Sequence, residues 1–485
     1  MSGSEGLWML GTVAAALVAT GLPAWIVLIG VTLGFAAGGV VTDALQMSLL
    51  TAMPARILGL LEHDLLQALP LYVLMRALLN HLPLAQTLFR AGSRALAPIG
   101  ANASLAGLGL GVLLAPMNGS VGASAAMLSR TVQPRLDQSG MTPAKSAALV
   151  CVASTMGVVI PPSLVLILLG DAMMRAHTEA VNITGAAIRI INTQDVFAGA
   201  LVPAGILLAF CIAITWWDAR NATPAPTSAV TARDWLVAAI TAAFIASLLA
   251  GVTLGYLYAV EAAAAGGVAL FFYGLVTRSL TFDVLRAVLR DTMAVTGALF
   301  ALLVAATMFT LIVRAFGTDR WVAAMLQQLP GGGIAAVFVV LPILALCALV
   351  LDAFELIFVV VPVVMPPLLT VVPAATWVAV LTLLILQASF LLPPFGYAVL
   401  MVRSRSPRPV PMRALTRALS PYLVAQFAVL TLILAAPGLV WQRNPTTLSS
   451  PAASEPASGD IGDSAPDPQF DLPPDDAAEK PASKE

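Results

Sequence analysis

Charge and metal-binding side chains are what this 485-residue chain has least of. Only 10% of its residues are charged and the net charge is −1, whereas soluble domains carry roughly 25% charged residues. No basic surface is available for nucleic acid, and no soluble catalytic domain remains once the apolar runs are assigned. The three histidines, His63, His81 and His177, stand alone in the sequence. Neither a His-Glu-x-x-His zinc helix nor a Gly-x-x-x-x-Gly-Lys phosphate loop occurs, which argues against a metalloprotease or a membrane ATPase. Gly331-Gly-Gly333 reads as a connection between elements. The three cysteines, Cys151, Cys211 and Cys347, lie far apart in apolar runs and suggest neither a disulfide framework nor a metal site. Met1 to Gly6 lack the positive region of a cleavable signal, so the first apolar run reads as a retained span. The sequence therefore predicts no enzyme and no cofactor.

Apolar length and proline are what the chain has in abundance: 59% of residues are hydrophobic and 34 are proline. A span needs about 20 apolar residues. Suitable runs fall near 8–38, 45–61, 65–80, 143–174, 196–217, 233–253, 257–277, 293–314, 374–402 and 419–441. The prediction is an all-α polytopic membrane protein of about 10–12 spans. Residues 443–485, rich in Pro, Ser, Asp and Glu, cannot bury enough apolar surface to offset their ordering entropy and read as a disordered acidic tail.

Two stretches match at an offset of 232 residues. Pro134 is followed 27 positions later by Pro161-Pro162, and Pro366 is followed 27 positions later by Pro393-Pro394. Interrupted helices in corresponding halves are the best sequence pointer to a secondary transporter's binding site. The first half is expected over 1–217, the linker over 218–232 and the second half over 233–442. Each half is expected to hold a Pro-Pro broken helix (143–174, 374–402). Proline lacks an N–H and disfavours helix in the residue before it, so each pair should unwind its helix and free carbonyls; a bland kink is the other reading.

Two further runs are interrupted by small or polar residues. Leu105 to Ala115 meets Pro116-Met-Asn-Gly-Ser120 and resumes at Val121. Ile334 to Val350 meets Leu351-Asp-Ala353 and resumes at Phe354. Arms of about 11 to 17 residues reach roughly 17 to 25 Å, generally short of the ~30 Å hydrocarbon core. Segments 103–133 and 334–369 therefore read as re-entrant hairpins with tips inside the protein, or else as paired spans with a buried turn. With both treated as hairpins, fifteen cations between Arg90 and Arg417 collect on one face, against Arg175, Arg189, Arg314 and Arg320 on the other. The positive-inside rule makes the first face cytoplasmic. Thr281 to Arg290 and Arg403 to Arg417 read as interfacial pieces.

Ionisable groups at membrane depth are functional-site hypotheses. Asp352 and Glu355 are such groups, with Asp352 at the expected tip, where it either helps hold a cation or caps the next helix. Ser120 is its equivalent at the offset. Asn118, Ser120 and Ser124 offer amide and hydroxyl ligands. Ser154, Thr155, Ser163, Gln387 and Ser389 flank the Pro-Pro breaks, and Gly396 follows the second. Half-helix N-termini after the prolines suit a carboxylate. Glu261 either caps a helix or is a further intramembrane acid.

At these positions the chain resembles the large membrane subunit of tripartite ATP-independent periplasmic (TRAP) transporters. The resemblance is carried by Leu69-Pro-Leu-Tyr72, Asn118-Gly-Ser-Val-Gly-Ala-Ser124 with Pro134, and Gly157-Val-Val-Ile-Pro-Pro-Ser163. Val196-Phe-Ala-Gly-Ala-Leu-Val-Pro203, Glu261-Ala-Ala-Ala264, Leu351-Asp352 with Pro362 and Pro366, and Leu392-Pro-Pro-Phe-Gly396 complete it. It implies an elevator-type secondary transporter of the bacterial inner membrane, driven by Na+ without ATP hydrolysis. It implies a separate four-helix membrane subunit and a periplasmic binding protein that delivers an organic acid or carboxylate. Combined with the residues above, it gives an expected Na+ set of Asn118, Gly119, Ser120, Ser154, Thr155, Asp352, Pro161 and Pro393. The expected substrate set is Asn118, Ser120, Ser124, Ser163, Gln387, Ser389 and Gly396. Asp171 to Asp195 looks longer than the family's usual loop, and Gln387-Ala-Ser389 with Phe395 departs from its Asn-rich, Pro-Pro-Val-Gly form. A stand-alone ion-coupled organic-anion symporter or antiporter is the alternative.

Overall fold

The computed structural model describes residues 5–61, 64–186, 188–220, 230–406 and 408–440. Most of the expected linker and the whole acidic tail 443–485 lie outside the described residues. Among the described residues every regular element is helical. Eight segments of the described residues are long and apolar enough to cross a membrane: Ala24–Val41, Pro143–Thr184, Thr193–Ala219, Ala232–Leu254, Ala259–Val276, Phe282–Ala315, Ala353–Val371 and Met412–Ala435.

The two innermost helices are Pro143–Val159 and Ala375–Leu391, which pack against each other. Ser146 to Val159 and Ala375 to Leu391 are buried throughout. A helix that is apolar all round belongs inside a protein or a membrane, and both sequences have that character. Helix Met412–Ala435 braces them: Trp377 Nε1 donates to the Ile433 carbonyl at 2.9 Å and Gln426 Nε2 to the Leu384 carbonyl at 3.1 Å. Ala232–Leu254 and Ala259–Val276 are mostly unburied, as lipid-facing helices at the edge should be.

The helix ends follow the 232-residue offset. Pro143–Val159 and Ala375–Leu391 start and stop at equivalent positions, as do the starts at Val121 and Ala353. Both core helices end in an extended residue, Ile160 and Leu392, followed by cis peptides at Pro161-Pro162 and Pro393-Pro394.

Several expected spans are divided differently. The run 8–38 is two helices, Glu5–Thr20 and Ala24–Val41, because Gly21 takes φ +61° and Pro23 has no N–H for the first helix. The run 45–61 is two short helices, Met47–Thr51 and Met53–Leu61, neither long enough to span. Thr281 to Arg290 is no separate interfacial piece. Thr281 caps Val284 N at 3.4 Å and one helix runs from Phe282 to Ala315, about 51 Å at 1.5 Å per residue. Arg403 to Arg417 is split between Tyr397–Arg405 and Met412–Ala435, since Pro409 and Pro411 cannot continue a helix. The supposed loop 171–195 is helical as far as Thr184, where Asp171 and Arg175 pair at the i,i+4 spacing that supports a helix.

Several polar contacts join segments within one expected loop set. Lys145–Asp218 (3.0 Å), Arg90–Asp234 (3.6 Å) and Gln133–Ser406 (2.6 Å) join segments of the cation-rich set to one another. Arg314 of the cation-poor set pairs with Glu179 at 2.6 Å.

Candidate functional site

Helix Asn102–Asn118 ends where Gly119 adopts φ +64°, ψ −9°, Ser120 is extended, and helix Val121–Thr131 begins. Gly119 needs its conformation and its lack of a side chain, since a Cβ would lie 2.8 Å from Leu164 Cδ2. The turn therefore rests directly on the helix that starts after the first Pro-Pro pair. Gly111 and Gly157 bring helices Asn102–Asn118 and Pro143–Val159 to backbone contact: a Cβ on Gly157 would collide with the Ala115 carbonyl. The helix leaving that turn reaches the segment after the second Pro-Pro pair, because Gly122 lies against the Tyr397 hydroxyl, and the core helix Pro143–Val159 reaches it too, with Cys151 Sγ 3.7 Å from the Ala398 carbonyl. One turn and two proline breaks thus converge.

Of the expected site residues, Asn118, Ser124 and Gln387 are the most informative. They are 1%, 0% and 0% exposed, and both polar atoms of each amide, with Ser124 Oγ, lack a hydrogen-bond partner within the protein. An unsatisfied buried polar group costs roughly 1–3 kcal/mol, so five such atoms in three residues are a large burden for a structural role. Ser154 and Thr155 donate to the carbonyls of Cys151 (2.8 Å) and Val152 (2.9 Å), which leaves hydroxyl lone pairs for a cation. Ser163 Oγ accepts from Leu166 N at 3.1 Å and caps helix Leu164–Thr184. Pro161 and Pro162 have no N–H to offer the Gly157 and Val158 carbonyls, and Pro393 and Pro394 none for Ser389 and Phe390. Ser389 is buried. Its carbonyl accepts from Leu392 N at 3.2 Å, and Gly396 N returns to the Leu392 carbonyl at 2.8 Å.

Asp352 is the N-cap of the helix leaving the second turn. Its Oδ1 accepts from Ala353 N at 2.8 Å, and Glu355 Oε2 accepts from Asp352 N at 3.1 Å, a reciprocal capping box. A π-helical turn follows at Leu356–Val360. Glu261 is a cap as well, accepting from Tyr258 N at 2.9 Å. No group of three His, Cys, Asp or Glu side chains able to hold a metal occurs among the described residues. A cation here would be ligated by carbonyl, hydroxyl and amide oxygens, which suits Na+ and leaves a transition metal without its usual ligands.

Arg76 and Tyr397 were missed in the sequence. Arg76, on helix Asp64–His81, lies within electrostatic range of Asp352 and Tyr397, and the Tyr397 ring packs at a tilt of 57° to that of Phe390 with centroids 6.2 Å apart. The neighbours of Arg76, Tyr72 and Met75, face Met117 and Pro162. A lone arginine five residues before a helix end resembles an interfacial anchor, which hid it; the signal was its position inside the apolar run 69–79.

A multi-pass helical membrane protein with three fully buried residues, Asn118, Ser124 and Gln387, carrying unpartnered polar atoms beside its helix interruptions has the layout of a membrane transporter. Residues 12–439 match the family model of the tripartite ATP-independent periplasmic transporter, DctM component, and the chain belongs to that family. It is a transport subunit of the bacterial inner membrane and not an enzyme. It is 22% identical over 77% of its length, and 84% of the relative's, to the C4-dicarboxylate TRAP transporter large permease protein DctM of Pseudomonas aeruginosa. It is 23% identical over 77% of its length, and 90% of the relative's, to a putative TRAP transporter large permease protein of Haemophilus influenzae. Among solved structures, the Alcanivorax borkumensis YdaH transporter shares the fold, with a TM-score of 0.57 and 17% identity, covering 81% of this chain and 89% of that one.

Proposed function

We propose that this chain is the large permease subunit of a Na+-coupled TRAP importer for an organic acid, with a four-carbon dicarboxylate as its substrate class. A periplasmic binding protein hands over the substrate, and a small four-helix membrane subunit completes the complex. Two relatives carry C4-dicarboxylate in their names, which supports that class. The observation that carries the proposal is the set of orphaned polar atoms on Asn118, Ser124 and Gln387, near helix breaks whose prolines offer no N–H to the carbonyls four residues before them.

In this reading 103–133 and 334–369 are re-entrant hairpins of an inverted repeat. Support comes from the helix ends shared at the 232-residue offset and from three of the four arms, of 17, 11 and 16 residues, which at 1.5 Å per residue are short of the ~30 Å core; the fourth, Ala353–Val371, has 19 residues and is long enough to span. Na+ ligated around Asn118–Ser120, Ser154, Thr155, the Pro161 and Pro393 breaks and Asp352 orders the two tips. Asn118, Ser120, Ser124, Ser163, Gln387, Ser389 and Gly396 then complete the carboxylate site. The hairpins and broken helices move together against the remaining spans in an elevator step. Downhill Na+ is thereby coupled to uphill substrate.

The test is uptake of labelled succinate and other organic acids into proteoliposomes containing this chain and its small subunit, with and without the binding protein, under an imposed Na+ gradient. The expected result is uptake requiring both binding protein and inward Na+. Uptake without the binding protein would instead establish a stand-alone carrier, and gradient-independent current would establish a channel.

A further inference from the structure

The cation-poor face carries few arginines, and the fold does not scatter them. Arg189 is paired with Asp195 at 3.2 Å. The other three, Arg175, Arg314 and Arg320, line two adjoining cavities of about 510 and 1100 Å³, which share Arg175, Glu179, Arg314 and Pro366. The smaller volume is in the range of small-molecule sites. Arg56 joins it from another helix. The smaller cavity is thus lined by three cations, Arg56, Arg175 and Arg314, and two anions, Asp171 and Glu179. Arg175 is held by Asp171 at 3.0 Å and Arg314 by Glu179 at 2.6 Å, while Arg56 makes no ion pair among the described residues. The net lining charge is positive on a face where the positive-inside rule selects against cations.

Two of the helices that reach the candidate site also line the cavity. Leu168 lines it, one helical turn or roughly 6 Å along the helix from Leu164, which touches Gly119. Ile357 lines it from the other side, five residues beyond Asp352. Thr307 and Thr310 add hydroxyls on the wall formed by helix Phe282–Ala315.

We infer that this cavity is an outer capture station for carboxylates, in which Arg175 and Arg314 hold the anion before it passes inward to the tip residues. The inference rests on the proposed carboxylate import and adds a second binding site to it. Glu179 and Asp171 keep the two guanidinium groups oriented, and an incoming carboxylate competes with them. A positive, low-dielectric cleft concentrates anions and speeds their encounter.

The test reads charge directly, without transport. Thr310→Cys in the full chain is reacted with an anionic and a cationic methanethiosulfonate, with Ile188→Cys on the exposed connection as control. The expected ratio of anionic to cationic rate is roughly fivefold higher at position 310 than at 188. It falls in Arg175→Gln and rises in Glu179→Gln, opposite signs that a general loss of structure would not give. Millimolar succinate slows labelling at 310, and chloride at matched ionic strength does not. A ratio equal to the control, or protection by phosphatidylglycerol in place of succinate, would overturn the inference. Loss of tripartite uptake with this charge pattern intact would overturn the proposed function alone.

Discussion

Ser120 and Asp352 stand 232 residues apart and hold the same post: each is the N-cap of the helix that leaves a turn. They use it differently. Asp352 accepts the Ala353 N–H and is bonded in return through Glu355, whereas Ser120 makes no side-chain capping bond. One turn is therefore closed by its own side chains, and the other keeps a hydroxyl for something else.

Asparagine caps a helix about as well as aspartate, while alanine costs about 0.5–2 kcal/mol. Asp352→Asn therefore separates the two roles of this residue. The expected outcome is an unchanged melting temperature with a Na+ half-saturation for uptake raised roughly tenfold, a loss of about 1.4 kcal/mol in ion binding. Unaltered Na+ dependence in Asp352→Asn would leave Asp352 as a cap only. Asp352→Ala should lower both stability and uptake.

Gln387 has both polar atoms buried and unpartnered, so an apolar near-isostere removes a penalty of roughly 1–3 kcal/mol per group. Gln387→Met is expected to melt at a higher temperature than the parent without ligand. It should also lose part of the stabilisation that Na+ and succinate together give the parent, with uptake falling at least tenfold. Thermal melts with and without ligand check this. A variant that is less stable without ligand would mean that Gln387 is satisfied in the protein by some other group.

Close approach at Gly157 sets a steric prediction. A side chain there would meet the Ala115 carbonyl and Pro116 nitrogen, both backbone and unable to swing aside. Overpacking typically costs 1–3 kcal/mol. Gly157→Ala is expected to destabilise the chain by about that amount and to displace the Asn118 turn, which follows Pro116 by two residues. Loss of Na+-dependent protection of Ala123→Cys, at a partly exposed position that already carries a Cβ, from a thiol reagent would report the displacement. A Gly109→Ala control, at a position open in all directions, should be silent.

Much of this was legible in the sequence because proline and small-residue interruptions act locally. Pro161-Pro162 and Pro393-Pro394 end the two core helices at equivalent positions, and Asn118-Gly-Ser120 turns because Gly119 can take a positive φ. What failed were boundaries governed by capping and tertiary support. Thr281 nucleates a helix that swallows a supposed interfacial piece, and the Asp171–Arg175 pair extends one through a supposed loop. The missed residues, Arg76 and Tyr397, come from segments distant in sequence. Their role depends on which helices meet, and no spacing records that.

The contact between Arg314 and Pro362 follows from one missing hydrogen. In a regular helix the carbonyl of residue 362 accepts from the N–H of residue 366, but residue 366 is proline and has none. Arg314 Nη2 takes that carbonyl at 3.3 Å while also meeting Glu179 at 2.6 Å. Helix Phe282–Ala315 is thus tied to Val361–Val371 and Leu164–Thr184, the two segments that the proposed elevator step carries past it. Ties across a moving interface have to break in every cycle, so they need to be weak. The ion pair is partly solvated, with side chains 34% and 24% exposed, and is worth about 0–1 kcal/mol. Pro366→Ala returns an N–H to the Pro362 carbonyl and competes with Arg314 for it. Maximal uptake rate is then expected to rise by roughly two- to fivefold, corresponding to about 0.4–1 kcal/mol off the barrier, with succinate half-saturation little changed. Glu179→Gln, which breaks the ion pair and leaves the Arg314 guanidinium in place, should raise the rate as well. An unchanged rate in both would mean that these three helices move together and that the sliding surface lies elsewhere.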